Sequence, residues 1–314
     1  MLAVAVMNPR SGGGKVGRFR LIEQAELLGA RVKLMGAGDD PATLAQRALE
    51  EGAEVLGVAG GDGTVAAVAA VAAEADRPLV VVPAGTRNHF ARDLGLDIRN
   101  PTSALKALHD SEQLRVDLGL VDTRPFVNNV SFGAYADALL APHYRERKML
   151  ALASSAGPYL EGRQGVDASV ETSEGMVDNP QVVLVSNNPY HIRTLRYLGR
   201  RFGLDRGVLG VIVLKRSAQT RPEPLPRLMK DMRERGSAGP RGEGVIEWSA
   251  ARITLQGTAP DVAVGVDGEA VRLRLPVTCE IRPGALRVLL PNDRPGIPRE
   301  PTPRLVADHA ADEH

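Results

Sequence analysis

Residues 60–64 read Gly-Gly-Asp-Gly-Thr, between a short apolar run and an alanine-rich segment with helical spacing. Glycines let backbone N–H groups approach a phosphate closely, and a helix N-terminus adds a partial positive charge. Asp62 puts a carboxylate where a metal–nucleotide would dock. Gly-Asp-Gly alone reads more simply as a tight turn with the Asp as helix cap. The extra glycine before the Asp and Thr64 after it, at the end of a strand, favour a phosphate site. Two more glycine turns flank this one. Asn8-Pro9-Arg10-Ser11-Gly12-Gly13-Gly14-Lys15 follows the first apolar run, and Pro83-Ala84-Gly85-Thr86-Arg87-Asn88-His89-Phe90 follows the fourth. The first of these is not a Walker A loop, because Val16 follows Lys15 and the glycine spacing differs. Each turn alone is as readily a surface turn; three on one edge predict one shared phosphate site. Far along the chain, Asp267-Gly268-Glu269 lies between two alternating runs. Asp-Gly there is a hairpin signal, and a hairpin tip can aim a carboxylate into a cleft.

Those turns need elements to hold them. Residues 2–7, 31–35, 55–59 and 79–82 are short apolar runs, with helical spacing over 19–28, 42–52 and 64–75. Strand, loop, helix and strand repeated in this way predict a parallel sheet covered by helices. Ligands of such sheets bind beyond the carboxyl ends of the strands, where all three glycine turns fall. From about residue 115 the pattern changes. Residues 115–121, 126–130, 166–171, 181–185, 207–214, 245–248, 252–256, 262–266, 271–275 and 286–290 read as short strands between Gly, Pro and Asn. They predict a mostly antiparallel sandwich, interrupted by helical stretches near 134–152 and 224–235. The expected organisation is an α/β nucleotide-binding domain at 1–122, a mostly antiparallel β-sandwich domain at 123–291, and a disordered, proline-containing tail at 292–314.

Composition narrows the functional classes. A length of 314 residues suits two domains, and 43% hydrophobic residues can build real cores. A net charge of +1 and an aromatic content of 4% argue against a nucleic-acid partner. Cys279 is the single cysteine, so neither an internal disulfide nor a cysteine metal site is possible, which fits a reducing cytoplasm. His89, His143 and His191 have no ligand spacing. The longest apolar stretches, 65–73 and 208–214, fall short of the roughly 18–20 residues that cross a bilayer. Residues 1–7 lack the basic region and length of a signal peptide. The expectation is a cytoplasmic chain, at most peripheral on the inner face of the membrane.

Five motifs, in order, carry a family resemblance: Asn8-Pro-x-Ser-Gly, Gly60-Gly-Asp-Gly-Thr64, Pro83-x-Gly-Thr-x-Asn88 followed by Phe90-Ala91-Arg92, Val116-Asp-x-Gly119 and Val266-Asp-Gly-Glu269. The chain resembles the diacylglycerol kinase catalytic family over about residues 2–291. That family includes bacterial lipid kinases and the sphingosine and ceramide kinases. The resemblance implies an ATP-binding N-terminal domain, similar to that of NAD kinases, and a β-rich domain that holds the lipid. It implies that Asn8, Ser11, Gly12, Gly60, Gly61, Asp62, Gly63, Thr64, Gly85, Thr86 and Asn88 line the nucleotide site. Asp62, and Asp117 through water, would serve Mg²⁺ bound with ATP. Asp267 and Glu269 would be the acidic pair at the reacting hydroxyl, one of them the general base. By itself, Asp117 reads as a solvated carboxylate at a strand end.

Two positions depart from the family pattern. His89 stands where many members have Asp, and Asp205-Arg206-Gly207 stands where the structural-magnesium loop often reads Asp-Asp-Gly. Arg206 puts a cation in place of a ligand. For membrane contact, Leu225, Leu228, Met229 and Met232 form a stripe with Arg227, Lys230, Arg233 and Arg235 mostly off it. The stripe suits either an interfacial helix or one packed on the β domain. Arg193, Arg196, Arg200 and Arg201 form a second basic segment, which would matter only near an anionic surface. The leading expectation is an ATP- and Mg²⁺-dependent kinase of a lipid hydroxyl at a membrane surface, most simply of diacylglycerol giving phosphatidic acid. The alternatives are an NAD kinase-like phosphotransferase and a catalytically silent lipid- or nucleotide-binding protein. Homodimerisation is left open.

Overall fold

The computed structural model describes residues 2–133, 165–172, 174–191, 200–201, 203–215 and 245–296. The four early apolar runs become β1 (Ala3–Met7), β2 (Arg31–Leu34), β3 (Val55–Gly60) and β4 (Leu79–Pro83), parallel and in spatial order β2-β1-β3-β4. β1, β3 and β4 are buried throughout, while β2 is a partly exposed edge. Between them lie α1 (Lys15–Arg18), α2 (Leu21–Leu27), α3 (Pro41–Glu50) and α4 (Asp62–Glu74), and α5 (His89–Asp93) follows β4. Asp40 caps α3 by accepting the Thr43 N–H at 2.9 Å, with Pro41 in the first turn. α4 is apolar nearly all round and buries Val65, Ala66, Val68, Ala69, Val71 and Ala72, as befits a helix covered on several sides.

The later strands are β5 (Ser111–Val121), β6 (Arg124–Phe126), β7 (Asn129–Gly133), β8 (Ser169–Thr172), β9 (Gly175–Asp178), β10 (Val182–Asn187), β11 (Leu209–Leu214), β12 (Val245–Ala250), β13 (Arg252–Gln256), β14 (Asp261–Val266), β15 (Glu269–Arg274) and β16 (Val277–Pro291). Among the described residues, β12-β11-β10-β7-β14-β15 form one antiparallel sheet. It packs on β13, β8 and the first half of β16, with Phe126, Val130, Phe132, Val183, Val211, Leu255, Val264 and Val277 in the core between. This is the α/β plus antiparallel sandwich architecture that the sequence predicts.

Three features differ from the sequence reading. β16 is one long strand that returns to the first domain: Val288 and Leu289 pair in parallel with Leu79 and Val80, and Leu286, Val288 and Leu290 join the N-terminal core. The stretch read as a strand over 126–130 is broken at Val127 and Asn128, whose N–H groups turn to Asp267 instead of a neighbouring strand. The beginning of the expected free tail is tied down, because Asn292 bonds Asp110, Lys106 bonds Asp293 at 2.5 Å and Gly296 N donates to Gly95 O at 3.2 Å. The stretches 134–152 and 224–235, with Arg193 and Arg196, lie outside the described residues, as does the chain beyond 296. No helix among the described residues is long and apolar enough to cross a membrane.

Candidate active site

The three glycine turns meet through their backbones. A Cβ built on Gly12, where φ is +56°, would sit 2.4 Å from Ala84 O and 2.9 Å from Gly85. One on Gly85 would sit 2.5 Å from Gly61 Cα and 3.0 Å from Gly60 O. Any side chain there must displace backbone, so the contact is open only to glycine. Asn88 locks the third turn from within: its Oδ1 accepts from Gly85 N at 2.7 Å and its Nδ2 donates to Gly85 O at 2.9 Å. It does so from a buried position at φ +54°. Asn88 is thus spent on holding the turn. Asn8 likewise holds its own turn, accepting from Arg10 N at 3.1 Å while its N–H donates to Ala59 O at 2.8 Å. Ser11, Gly12 and the Gly61–Thr64 turn are partly exposed. Thr86 is exposed.

Asp62 opens α4, and its Oδ1 accepts one hydrogen bond, from Phe90 N at 3.3 Å. That bond ties the second turn to α5. A helix N-terminus with a carboxylate so lightly engaged keeps acceptor capacity for a cation. The residues present therefore fit a magnesium nucleotide: a glycine cradle for phosphates and one acidic ligand beside it. His89 lies at the same edge. Arg92 Nη2 is 3.0 Å from its Nδ1, so that nitrogen accepts; burial, outweighing Asp62, lowers its pKa and keeps the ring neutral.

The acidic hairpin tip of the antiparallel sheet meets the Gly61–Thr64 turn. Asp267 stands at the β14–β15 turn with φ +46°. Its Oδ2 accepts from Val127 N at 2.8 Å, and its Oδ1 accepts from Asn128 N at 2.8 Å and Asn129 N at 3.0 Å. Desolvation raises this carboxyl to about 6; the three amides pull the other way and the nearby Asp62 adds to the rise. Glu269 is exposed, yet it reaches the first domain: a Cβ on Gly63 would meet its Oε1 at 2.7 Å. Gly63 is the position in the turn that leaves room for this contact.

Asp117 is placed differently from Asp62. It is buried, with Oδ1 accepting from Gly284 N at 2.8 Å and Oδ2 from Gly207 N at 2.6 Å and Asn188 Nδ2 at 3.1 Å. Three of its roughly four acceptor positions are filled by protein donors. It anchors the loop around residue 207, and a solvated carboxylate at a strand end does not describe it. Arg201, read from sequence as part of a surface basic segment, is fully buried and ion-paired with Asp93. Nothing in the spacing of these two residues, 108 apart, signals the pair.

Residues 2–121 match the diacylglycerol kinase catalytic domain. That match covers the first parallel-sheet unit and the strand that leads out of it, well under half of the chain. Over 121 residues the chain is 35% identical to the diacylglycerol kinase of Mycobacterium tuberculosis, covering 37% of this chain and 39% of that one. It is 42% identical over 103 residues to the diacylglycerol kinase of Staphylococcus carnosus, covering 31% and 32%. The chain thus matches well under half the length of these relatives. The fold likeness runs further. Two crystal structures from Bacillus anthracis cover 93% of this chain and 98% of their own, with TM-scores of 0.69 and 0.65 at 19% and 18% identity. The second is a diacylglycerol kinase. The catalytic-family match ends at the start of the sandwich, so what the second domain shares with these structures is the fold.

Proposed function

We propose that the protein is an ATP-dependent lipid kinase that transfers the γ-phosphate to a lipid hydroxyl, with diacylglycerol the first substrate to test. One observation carries this reading. The hairpin tip of the sandwich brings a fixed, partly desolvated carboxylate, Asp267, and the reaching Glu269 onto the first turn of α4 in the catalytic-family domain. A site that only bound nucleotide would have no use for that pair.

Phosphoryl transfer depends on positioning and charge neutralisation. The three glycine turns and the N-terminus of α4 would hold the phosphates, and Asp62 would hold Mg²⁺, which supplies charge neutralisation. Asp267 accepts the proton of the attacking hydroxyl with the acceptor position its three amides leave free. The hydroxyl oxygen then bonds to the γ-phosphorus as the bond to the β-phosphate oxygen breaks, leaving ADP and a phosphorylated lipid. A base titrating near 6 is mostly ionised at neutral pH and still basic enough to take the proton. Asp117 contributes at a distance, by fixing the loop at 207 and the bulge in β16 at Gly284.

The test is incubation with labelled ATP, Mg²⁺ and a lipid panel (diacylglycerol, a sphingoid base, phosphatidylglycerol, a polyprenol), with NAD in parallel. Label in an organic-phase product supports the reading, and the panel names the lipid. Label in NADP alone would replace it with the NAD kinase-like reading. ATP binding with no transfer to anything would leave a binding protein.

A further inference from the structure

Asp93 ends α5, the helix after the third glycine turn, and its side chain is 1% exposed. Its Oδ2 accepts from Arg201 Nε at 2.7 Å, and the Arg201 side chain is 0% exposed. Burying a guanidinium is costly unless its donors are met, and apolar residues of similar size often serve stability as well. The destination of the remaining donors is therefore informative. Nη1 donates to Val127 O at 2.6 Å and Asn187 O at 2.8 Å, and Nη2 donates to Asn128 Oδ1 at 2.9 Å. The Tyr190 ring lies 5.5 Å from the guanidinium, and its hydroxyl accepts from Asn129 Nδ2 at 3.0 Å.

Val127 and Asn128 thus present oxygens to Arg201 and N–H groups to Asp267. The peptide is gripped between a buried cation and the hairpin carboxylate, and the same cation holds the helix beside the phosphate turns. We propose that Arg201 is a positioning residue: it fixes the 127–129 amide cradle that orients Asp267 and, through Asp93, sets that cradle against the nucleotide side of the cleft. The kinetic part of this inference rests on the kinase reading above; the structural part does not.

The test uses the full chain with two variants. Arg201→Lys keeps the charge beside Asp93 but loses the fork that reaches residues 127 and 128. Asp93→Asn/Arg201→Met removes both buried charges together, so neither is left unpaired. Hydrogen exchange should be about tenfold or more faster at the Val127, Asn128 and Asn129 amides in both variants, with β1, β3 and β4 amides at parental rates. With the lipid found above, kcat should fall roughly 10- to 100-fold in the double variant and less in Arg201→Lys, while nucleotide affinity stays within about twofold. Parental exchange at 127–129 in Arg201→Lys would overturn the proposal, and so would parental kcat in the double variant. Loss of nucleotide affinity equal to the loss of kcat would also overturn it, assigning Arg201 to general architecture. A parent that phosphorylates no lipid would sink the kinase reading, and the exchange result would still decide the cradle.

Discussion

Asp267 combines two opposing influences that a sequence motif cannot rank. Three backbone N–H groups stabilise its charge, yet burial wins and lifts the carboxyl to about 6 from an ordinary 3.8. In the proposed role of base it must be ionised, so kcat should fall about tenfold per pH unit below pH 6 and level off above it. A pH profile of kcat under saturating substrates checks this, and an acid limb near 4 would contradict the assignment. Stability should respond in the opposite sense. Between about 4 and 6 the folded state keeps a proton that the unfolded chain has lost, so this group's contribution to stability declines as pH rises through that window. Asp267→Asn puts an amide N–H group where backbone donors point and leaves no base. It should cost roughly two to four orders of magnitude in kcat, with nucleotide affinity little changed, because the glycine turns proposed to hold the nucleotide lie in the other domain. Asp62→Asn should instead abolish turnover with the fold intact, since that carboxylate has one long protein hydrogen bond to lose. Circular dichroism and labelled-product assays on the purified variants separate these outcomes.

At the scale of elements, the site depends on turns that touch. Gly12, Gly85 and Gly61 pack backbone on backbone, so neither loop can carry a side chain at the contact without moving another. Gly85→Ala places a methyl 2.5 Å from Gly61 Cα and 2.8 Å from Asn88 Oδ1. It should destabilise the protein by roughly 1–3 kcal/mol, in the range of other overpacking changes. It should also weaken nucleotide binding at least tenfold by prising the turns apart. Thermal melts with and without ATP measure both effects; an alanine variant with parental melting and affinity would show that the turns tolerate separation. The break between β6 and β7 belongs to the same scale. Val127 and Asn128 leave the ladder so that their amides can serve Asp267.

At the scale of the whole molecule, the two domains are joined by long strands. β5 and β16 pair antiparallel from Cys279 to Pro291, and the end of β16 completes the first sheet. A buried polar seam of Asp93, Asp117, Asn128, Asn187, Asn188 and Arg201 lies between the two apolar cores. The loop that carries Arg206 is part of this seam. Asp117 N donates to Leu204 O at 2.5 Å, Arg206 N donates to Asn188 Oδ1 at 2.8 Å, and Gly207 N donates to Asp117. With the loop pinned by protein groups and Arg206 in place of an acidic ligand, turnover should need Mg²⁺ while stability should not. The melting temperature of the nucleotide-free protein should shift by no more than about 1 °C in EDTA. A shift of several degrees, which corresponds to about 1 kcal/mol or more, would reveal a structural cation.

The sequence by itself determined the architecture and the meeting of the three glycine turns. Four apolar runs alternating with helices can bury themselves only as a covered parallel sheet, and the glycine turns then fall together at one edge. The Asp-Gly hairpin was also legible, because its turn chemistry is local. Tertiary structure decided what each polar residue does once there. Asn88 and Asp117 fit ligand motifs, yet Asn88 spends its side chain inside its own turn and Asp117 spends its oxygens on donors from 188, 207 and 284 that only folding brings near. Arg201 looked like surface charge among neighbouring arginines, and its partners at 93, 127, 128 and 187 are distant in sequence. Hydrophobic periodicity reports burial along one element at a time. Hydrogen-bond pairing between elements, and the return of β16 to the first sheet, depend on register and crossing that no local pattern encodes.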